Sequence, residues 1–253
     1  MTGEILIEVR DVSKMFGSYL AVDHLFMNVR RGEIVALLGQ TGAGKSTILN
    51  LIMGTMAPSS GVIRVAGVDP YASFKALKGL LAVSFQTDRL LPWRTAVENA
   101  ELGLRILGKS RAQAREKAKE WLTRVRLEGS DHKYVHQLSG GMRQRVSLAR
   151  ALAIDPEIVF LDESFSQLDH VTSRTLRDDF LQIAREFNKT CVLITHRIDD
   201  ALEMADRALV LRPPAKVALE VVITKEVRAD PSQIASLHAQ IAVAMGEAVN
   251  TEN

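Results

Sequence analysis

The chain has 253 residues, of which 47% are hydrophobic, so it can form one large globular domain or a core with an attached lobe. Thirty-two basic residues against 30 acidic ones leave a net charge of +2, and no run of like charges is typical of a nucleic-acid-binding arm. We therefore expect no nucleic-acid partner.

The composition also bears on the compartment. No apolar segment approaches the roughly 20 residues that cross a bilayer, and the start MTGEILIEVR lacks the basic residues and long apolar core of a signal peptide. The lone cysteine, Cys191, lies in an apolar stretch and can form no disulfide within the chain, which suits a reducing compartment. We expect a cytosolic protein that would reach a membrane only through a partner.

Two kinds of strand pattern occur along the chain. Alternating apolar residues at 5–9, and again near 25–29 and 62–65, predict antiparallel strands. Continuous apolar runs predict strands buried on both faces of a parallel sheet, and they lie at residues 34–38, 158–161, 191–195 and 208–211. Each of the first three runs leads into a polar residue or loop, at the carboxyl end of a strand, where open α/β sheets bind ligands.

Helix signals replace strand signals between residues 95 and 135. Two pairs have capping-box spacing, Thr95 with Glu98 and Ser110 with Gln113. One face of the helix that follows the second pair is apolar, through Ala114, Ala118, Trp121, Leu122 and Val125. We predict a helical subdomain over residues 94–135, inserted into a core of residues 1–93 and 136–212.

A C-terminal extension is predicted over residues 213–253. It begins with a strand near 217–223 and continues with a helix that opens at Asp230 and Pro231. We expect this helix to cover an edge of the core, and an interaction module is the alternative.

The segment GQTGAGKST follows the first buried strand and opens a helix. Glycines let backbone N–H groups approach phosphate oxygens, and the helix N-terminus favours an anion. A glycine-rich turn without a ligand is the alternative, but it does not account for the Lys-Ser-Thr at the helix start. The predicted nucleotide cradle is Gly39, Gln40, Thr41, Gly42, Ala43, Gly44, Lys45, Ser46 and Thr47. Lys45 would bridge the outer phosphates and Ser46 would bind Mg²⁺.

Asp162 and Glu163 directly follow the apolar run at 158–161. Two carboxylates at the end of a buried strand are costly unless a cation or hydrogen-bond donors satisfy them. We predict that Asp162 binds Mg²⁺ and that Glu163 orients and deprotonates the water that attacks the γ-phosphate. His196 follows the run at 191–195, so it should emerge at the same edge of the sheet and stabilise charge on the γ-phosphate. A structural role is the alternative for this lone histidine.

The segment LSGGMRQR at 138–145 predicts another helix start, with Ser139 as the N-cap and Gly140 and Gly141 in the first turn. Capping alone would explain the motif. However, it adds a second anion-binding helix end to a chain with one phosphate cradle, which makes sense if this end serves a nucleotide held by another subunit.

Together these motifs resemble those of the ATP-binding subunit of an ABC transporter, over about residues 5–211. GQTGAGKST resembles the Walker A motif, IVFLDE the Walker B motif and LSGGMRQR the family signature. Gln86 resembles the Q-loop glutamine, Asp169 in SQLD the D-loop aspartate, and His196 the switch histidine. Phe16 matches the aromatic residue that stacks on adenine, although a core position for Phe16 or a role for Tyr19 is nearly as consistent with the sequence.

The resemblance implies an α/β fold, with a P-loop NTPase core of mainly parallel sheet, an N-terminal antiparallel β subdomain and an inserted α-helical subdomain. It implies a head-to-tail dimer with a second copy or a homologous cassette. Two ATP molecules would lie between Walker A of one chain and the signature of the other. Gln86 would link Mg²⁺ and the γ-phosphate to the helical subdomain, which grips a membrane permease.

The resemblance therefore implies peripheral attachment at the cytoplasmic face of the cell membrane, with a solute-binding protein as an indirect partner. LLPWR at 90–94 is most similar to importers of nitrate, sulfonates and taurine, although Leu90, Leu91 and Trp93 are equally consistent with packing inside the helical subdomain.

Two residues depart from the family pattern near the attacking water. Ser164 stands where the family usually has proline, and Gln167 stands where it usually has alanine. Both could alter the rate of hydrolysis. Two other functions remain: a soluble ABC ATPase of translation or DNA repair, disfavoured because there is one cassette and no basic patch, and a nucleotide sensor that does not hydrolyse ATP, disfavoured by the complete set Lys45, Asp162, Glu163 and His196.

Overall fold

The structure is a computed structural model that describes residues 3–166 and 168–246. Gln167, one of the two departures from the family pattern, lies outside the described residues, as do the two chain ends. Contacts between Cα atoms divide the chain into two compact units, Met1–Leu77 with Thr190–Asn253, and Lys78–Lys189.

The strands of the described residues are, in chain order, β1 (Ile5–Phe16), β2 (Tyr19–Arg30), β3 (Ile34–Leu38), β4 (Ser60–Val65), β5 (Leu81–Ser84), β6 (Ile158–Asp162), β7 (Thr190–Thr195), β8 (Arg207–Arg212) and β9 (Lys216–Val222). The helices are α1 (Lys45–Ile52), α2 (Ala96–Ala100), α3 (Leu102–Ile106), α4 (Arg111–Arg124), α5 (Gly140–Leu152), α6 (His170–Glu186), α7 (Ile198–Met204), α8 (Lys225–Ala229) and α9 (Pro231–Met245).

The first unit contains both predicted kinds of strand. β1 lies between β2 and β4 and is antiparallel to each. β3 pairs in parallel with β7 on one side and β8 on the other, and every residue of β3 and β7 is buried, as their continuous apolar runs predict. β9 then pairs antiparallel with β8.

The predicted alternation along β1 is interrupted. Leu6 and Ile7 are both buried and Ile5 is exposed, because the register with β2 shifts between Ile5 and Ile7. The register shifts again between Val9 and Val12, where Asp11 has a left-handed backbone with φ of 52°. An alternating sequence pattern assumes an unbroken ladder of paired residues, so it cannot show where a β-bulge interrupts the pairing.

In the second unit β5 pairs in parallel with β6, and α2, α4 and α5 pack against one another. Both predicted capping boxes form, at Thr95 for α2 and at Ser110 for α4. The predicted apolar face of α4 is buried along its length, which confirms the helical pattern.

The sequence did not predict β5 or α6 of this unit. β5 has only four residues and is not fully buried, so its apolar signal is weak. α6 buries polar side chains among its apolar ones, including Ser173, Arg177 and Asp179. Asp179 is paired by Arg126 and Arg145, each at 2.6 Å, so the buried carboxylate is compensated although it breaks the apolar stripe.

The C-terminal strand and helix form as predicted. Asp230 caps α9 by accepting from the backbone N–H groups of Ser232 and Gln233, and hydrogen bonds from these two residues lower the pKa of Asp230 to about 2. α9 packs against α7, β8 and β9 through Ile241 and Met245, while the first half of its apolar face stays partly exposed. Within residues 3–166 and 168–246, no helix combines the length and the hydropathy that a membrane span needs.

Candidate functional site

The predicted phosphate cradle connects β3 to α1. Lys45, the first residue of α1, is 7% exposed, and its Nζ donates to the carbonyl oxygens of Gly39 at 2.7 Å and Gln40 at 2.9 Å. The ammonium group is therefore held over the loop, while Ser46 is exposed in the first turn of the helix. The N-cap residue of α1 is Gly44, which has no side chain that could cap the helix. The N-terminus of such a helix favours an anion.

Gly44 is required by both conformation and space. Its φ is 82°, and a Cβ atom there would lie 2.5 Å from Cβ of Ala215 and 3.0 Å from the carbonyl oxygen of Ala21. The end of the loop is thus packed directly against β2 and the segment before β9.

We expect Gly44→Ala to destabilise the fold by about 2–4 kcal/mol, from overpacking and the left-handed backbone together, and to weaken ATP binding. Gly67→Ala is a matched control, because Gly67 has φ of 80° but no atom within 4 Å of an added Cβ. It should cost about 1 kcal/mol and leave ATP affinity unchanged. Thermal denaturation and ATP titration of both variants test this, and equal effects would refute a packing role for Gly44.

Phe16 and Tyr19 face each other across the turn of the β1–β2 hairpin. Phe16 is 45% exposed, so it is not a core aromatic, and Nζ of Lys14 lies 5.3 Å from its ring centroid. Tyr19 is more exposed still. Both rings remain available for stacking, and the choice of Phe16 over Tyr19 stays a prediction.

Gln86 and Glu163 are brought together in the second unit. β5 and β6 run in parallel with Ser84 opposite Leu161, so the residues that follow both strands emerge at one edge. Nε2 of Gln86 donates to Oε2 of Glu163 at 3.0 Å. Asp162, the last residue of β6, directly precedes Glu163 and is half-buried. The two motifs thus meet although 77 positions separate these residues.

Ser139 caps α5, as predicted. Its Oγ accepts from the backbone N–H of Met142 at 3.3 Å, and both Ser139 and Gly140 are exposed. Gly141 has a separate reason to be glycine, because an added Cβ would lie 2.7 Å from Cγ2 of Thr172. The motif therefore serves the packing of α5 on α6 and also leaves the N-terminus of α5 open at the surface.

Side chains of α5 hold the segment that carries Gln86, a feature the sequence analysis missed. Arg143 donates to the Asp88 carboxylate at 3.0 Å and Gln144 to the Phe85 carbonyl at 3.3 Å. Arg150 donates to the carbonyl oxygens of Asp88 and Arg89, both at 2.7 Å. The pKa of the Arg150 guanidinium is lowered, because the effect of burial is larger than the opposing attraction of the Asp88 carboxylate. The seven-residue spacing of Arg143 and Arg150, which puts both on one helix face, is the signal that could have indicated this contact.

Asp169 and His196 follow different elements. Asp169 caps α6 by accepting from the N–H of Thr172 at 3.0 Å, and hydrogen bonding to Thr172 lowers the pKa of Asp169. In the first unit, His196 is exposed immediately after β7. The turn that presents it is held by Thr195, whose Oγ1 accepts from the N–H of Arg197 at 3.0 Å.

LLPWR is divided between core and surface. Leu90 is buried, but Trp93 is 69% exposed, so packing inside the helical subdomain does not explain Trp93. Trp93 lies at a cleft of about 550 Å³, whose lining consists of Trp93, Arg94, Glu98, Glu101, Leu102, Arg105 and Arg111.

Comparisons with known proteins agree with these motifs. Residues 22–166 match the family model described as ABC transporter. The chain is 42% identical over 206 residues to the taurine import ATP-binding protein TauB of Yersinia pestis bv. Antiqua, covering 80% of this chain and 79% of the relative. It is 38% identical over 214 residues to the bicarbonate transport ATP-binding protein CmpD of Synechocystis, covering 81% and 73%.

A solved structure gives the same assignment. The dimeric structure of MJ0796, a bacterial ABC transporter cassette, superposes with a TM-score of 0.75 at 31% identity, covering 86% of this chain and 99% of that one. The P-loop of Lys45, the Gln86–Glu163 pair and the capped signature helix thus occur in a chain that belongs to the ABC transporter family and is one of its ATPases.

Proposed function

We propose that this ATPase energises an importer of a small solute, of the nitrate, sulfonate or taurine type, and that it acts on the cytoplasmic face of the membrane bound to a permease. The observation that carries the permease contact is the cleft at Trp93, because it leaves a large aromatic side chain open to solvent in the helical region. The similarity to importer subunits supports the direction of transport.

In the proposed reaction ATP and water give ADP and phosphate. The cradle from Gly39 to Thr47 binds the phosphates, with Lys45 on the outer ones and Phe16 stacked on adenine. Glu163 orients and deprotonates the attacking water. Gln86 and His196 contact the γ-phosphate, and charge that develops there is stabilised by His196.

The donor set fits a magnesium ion held partly by the nucleotide. Among the described residues, no group of three or more His, Cys, Asp or Glu side chains could hold a metal ion by itself. The proposed ligands are instead the Ser46 hydroxyl, the Asp162 carboxylate and the Gln86 amide oxygen, which are hard oxygen donors of the kind Mg²⁺ prefers alongside phosphate. The ion would neutralise charge on the β- and γ-phosphates.

A second cassette completes the proposed site. At the N-terminus of α5, Ser139 and Gly140 are exposed and Gly141 is half-buried, so this helix end can receive a phosphate from another chain. The dimeric cassette to which this chain is similar supports a pair, formed by a second copy or by a homologous cassette. Asp169 would take part across the same interface, in addition to capping α6.

The acidic residues of the cleft at Trp93 are paired with an arginine, which leaves the Trp93 ring as the main feature for a protein partner to bind. Arg115 pairs with Glu101 at 2.5 Å and lies 3.7 Å from Glu98, so the two acidic residues of the cleft are already compensated. The aromatic surface of Trp93 is then available as the apolar anchor of a short helix from the permease. The solute itself would be selected by the permease and an external solute-binding protein.

Trp93→Ala tests the permease contact. We expect association with the membrane permease to weaken by about tenfold, because truncating an aromatic anchor at an interface costs more than about 1 kcal/mol. ATP hydrolysis by the purified cassette should be unchanged. The measurement is co-purification of the cassette with its detergent-solubilised permease.

Phe26→Ala is the matched control, since Phe26 is a similarly exposed aromatic on β2. It should leave association intact. Recovery of the parental cassette without any membrane protein would instead favour the soluble ABC ATPase, and equal association of both variants would remove Trp93 from the interface.

A further inference from the structure

The chain turns sharply just after the proposed general base. β6 ends at Asp162, and Glu163 adopts a left-handed backbone with φ of 47°, which is uncommon for a residue other than glycine. Such a conformation persists only where its surroundings hold it. Part of that hold comes from Ser166, whose N–H and Oγ donate to the Glu163 carbonyl oxygen at 3.1 and 2.9 Å.

Ser164 provides a second hold on this turn. It is 3% exposed, and its Oγ donates to the carbonyl oxygen of Ser84, the last residue of β5, at 2.7 Å. Ser84 is itself buried. A buried carbonyl group that loses its donor is penalised, so this bond fixes the turn after β6 firmly to the end of β5.

The Ser164 bond lies next to the one made by the catalytic carboxylate. Ser164 binds Ser84, while Glu163, one residue earlier, accepts from Gln86, two residues after Ser84. The two hydrogen bonds join the same pair of strand ends. A displacement of Ser164 relative to Ser84 would therefore also change the distance from Gln86 Nε2 to Glu163 Oε2.

We propose that the Ser164 hydroxyl is a positioning group that holds Glu163 in one orientation, within hydrogen-bond reach of Gln86. The family pattern has proline here, which has no hydroxyl group to donate, so in this chain a hydrogen bond restrains the turn. The inference rests on the role proposed above for Glu163 as the general base.

Ser164→Ala is expected to lower kcat about tenfold and to leave KM for ATP unchanged, because small misplacements of a catalytic group reduce the rate of the chemical step rather than substrate binding. Ser164→Cys keeps the shape of the side chain but offers only a weak S–H donor, so it should show a similar loss if the alanine variant does not fold. Parental kcat in either variant overturns the proposal.

A double-mutant cycle with Gln86→Ala separates positioning from general destabilisation. If Ser164 acts by aligning Glu163 with Gln86, adding Ser164→Ala to Gln86→Ala should cost less than about twofold in kcat. An equal fold loss in both backgrounds would show that Ser164 acts independently of the pair and overturns the proposal.

Thr190→Val is the control for loss of a buried hydroxyl group outside this turn. Thr190 is fully buried at the start of β7, and its Oγ1 accepts from the backbone N–H of Gly32 at 2.9 Å. The variant should lower the melting temperature and leave kcat at the parental value. The Glu163→Gln variant separates a failure of this proposal from a failure of the proposed role of Glu163. If Glu163→Gln is inactive and the effects of Ser164→Ala and Gln86→Ala are additive, Glu163 remains the general base and only the role of Ser164 is wrong.

Discussion

Glu163→Gln is expected to lower the rate of ATP hydrolysis by about 10²- to 10⁴-fold, the range attributed to a positioned general base. The amide has almost the same shape as the carboxylate and retains an oxygen that can accept from Gln86, which now donates to Oε2 at 3.0 Å. However, it cannot take a proton from water. Binding of the phosphates depends on the separate cradle at Lys45, so ATP affinity should be unchanged.

The loss of the base should also trap an assembled pair. If ATP joins two cassettes and hydrolysis separates them, a variant that binds ATP without cleaving it should accumulate as a dimer. Size-exclusion chromatography with ATP measures the dimer, and release of radiolabelled phosphate measures turnover. Glu128→Gln, at an exposed position of the same compact unit, is the control and should behave like the parent protein. Hydrolysis at the parental rate by Glu163→Gln would remove Glu163 from its proposed role.

Local signals in the sequence predicted much of the fold. The capping boxes at Thr95 and Ser110, the cap at Ser139 and the start of α1 at Lys45 each depend on residues within one helical turn of one another, and all four form. The apolar runs predicted β3 and β7 because strands buried on both faces need no alternation.

Features that depend on distant residues were not predictable in the same way. Ser164 departs from the family pattern, and the sequence indicated only that this departure lies beside the attacking water. The structure adds its bond to Ser84, 80 positions away. Arg150 is likewise an ordinary helical arginine in sequence, and its role in holding residues near Gln86 depends on how α5 packs.

The predicted boundaries of the helical subdomain stay a prediction. Its helices form where the sequence places them. However, contacts between Cα atoms define a larger unit, Lys78–Lys189, which also contains Gln86, the signature helix α5 and Glu163. Within that unit Arg143 and Arg150 join the signature helix to the segment after β5. Gln86, which we propose contacts the γ-phosphate, and Ser139, which we propose meets the partner's nucleotide, therefore belong to the same compact unit, whereas His196 belongs to the other.

Ser139→Arg is expected to abolish turnover while a single chain still binds ATP. The large side chain would occupy the space in front of the first N–H groups of α5, where we propose that a nucleotide held by the partner binds. Removing the hydroxyl also removes the N-cap, at a cost of about 0.5–2 kcal/mol. Ser110→Arg controls for that cost, because Ser110 caps α4 with the same 3.3 Å geometry and should retain turnover. ATP titration and phosphate release distinguish the two variants.

Mixing two inactive variants tests the shared site directly. A chain with Ser139→Arg keeps its own cradle and Glu163, and a chain with Glu163→Gln keeps its own Ser139. In a head-to-tail pair of these two chains, one of the two sites combines only intact residues. If equal amounts of the two chains are mixed before ATP is added, so that they pair at random when ATP joins them, and if the sites are independent, about a quarter of the parental activity should return. If each chain instead hydrolysed ATP by itself, Ser139→Arg would be active alone and mixing would restore nothing further.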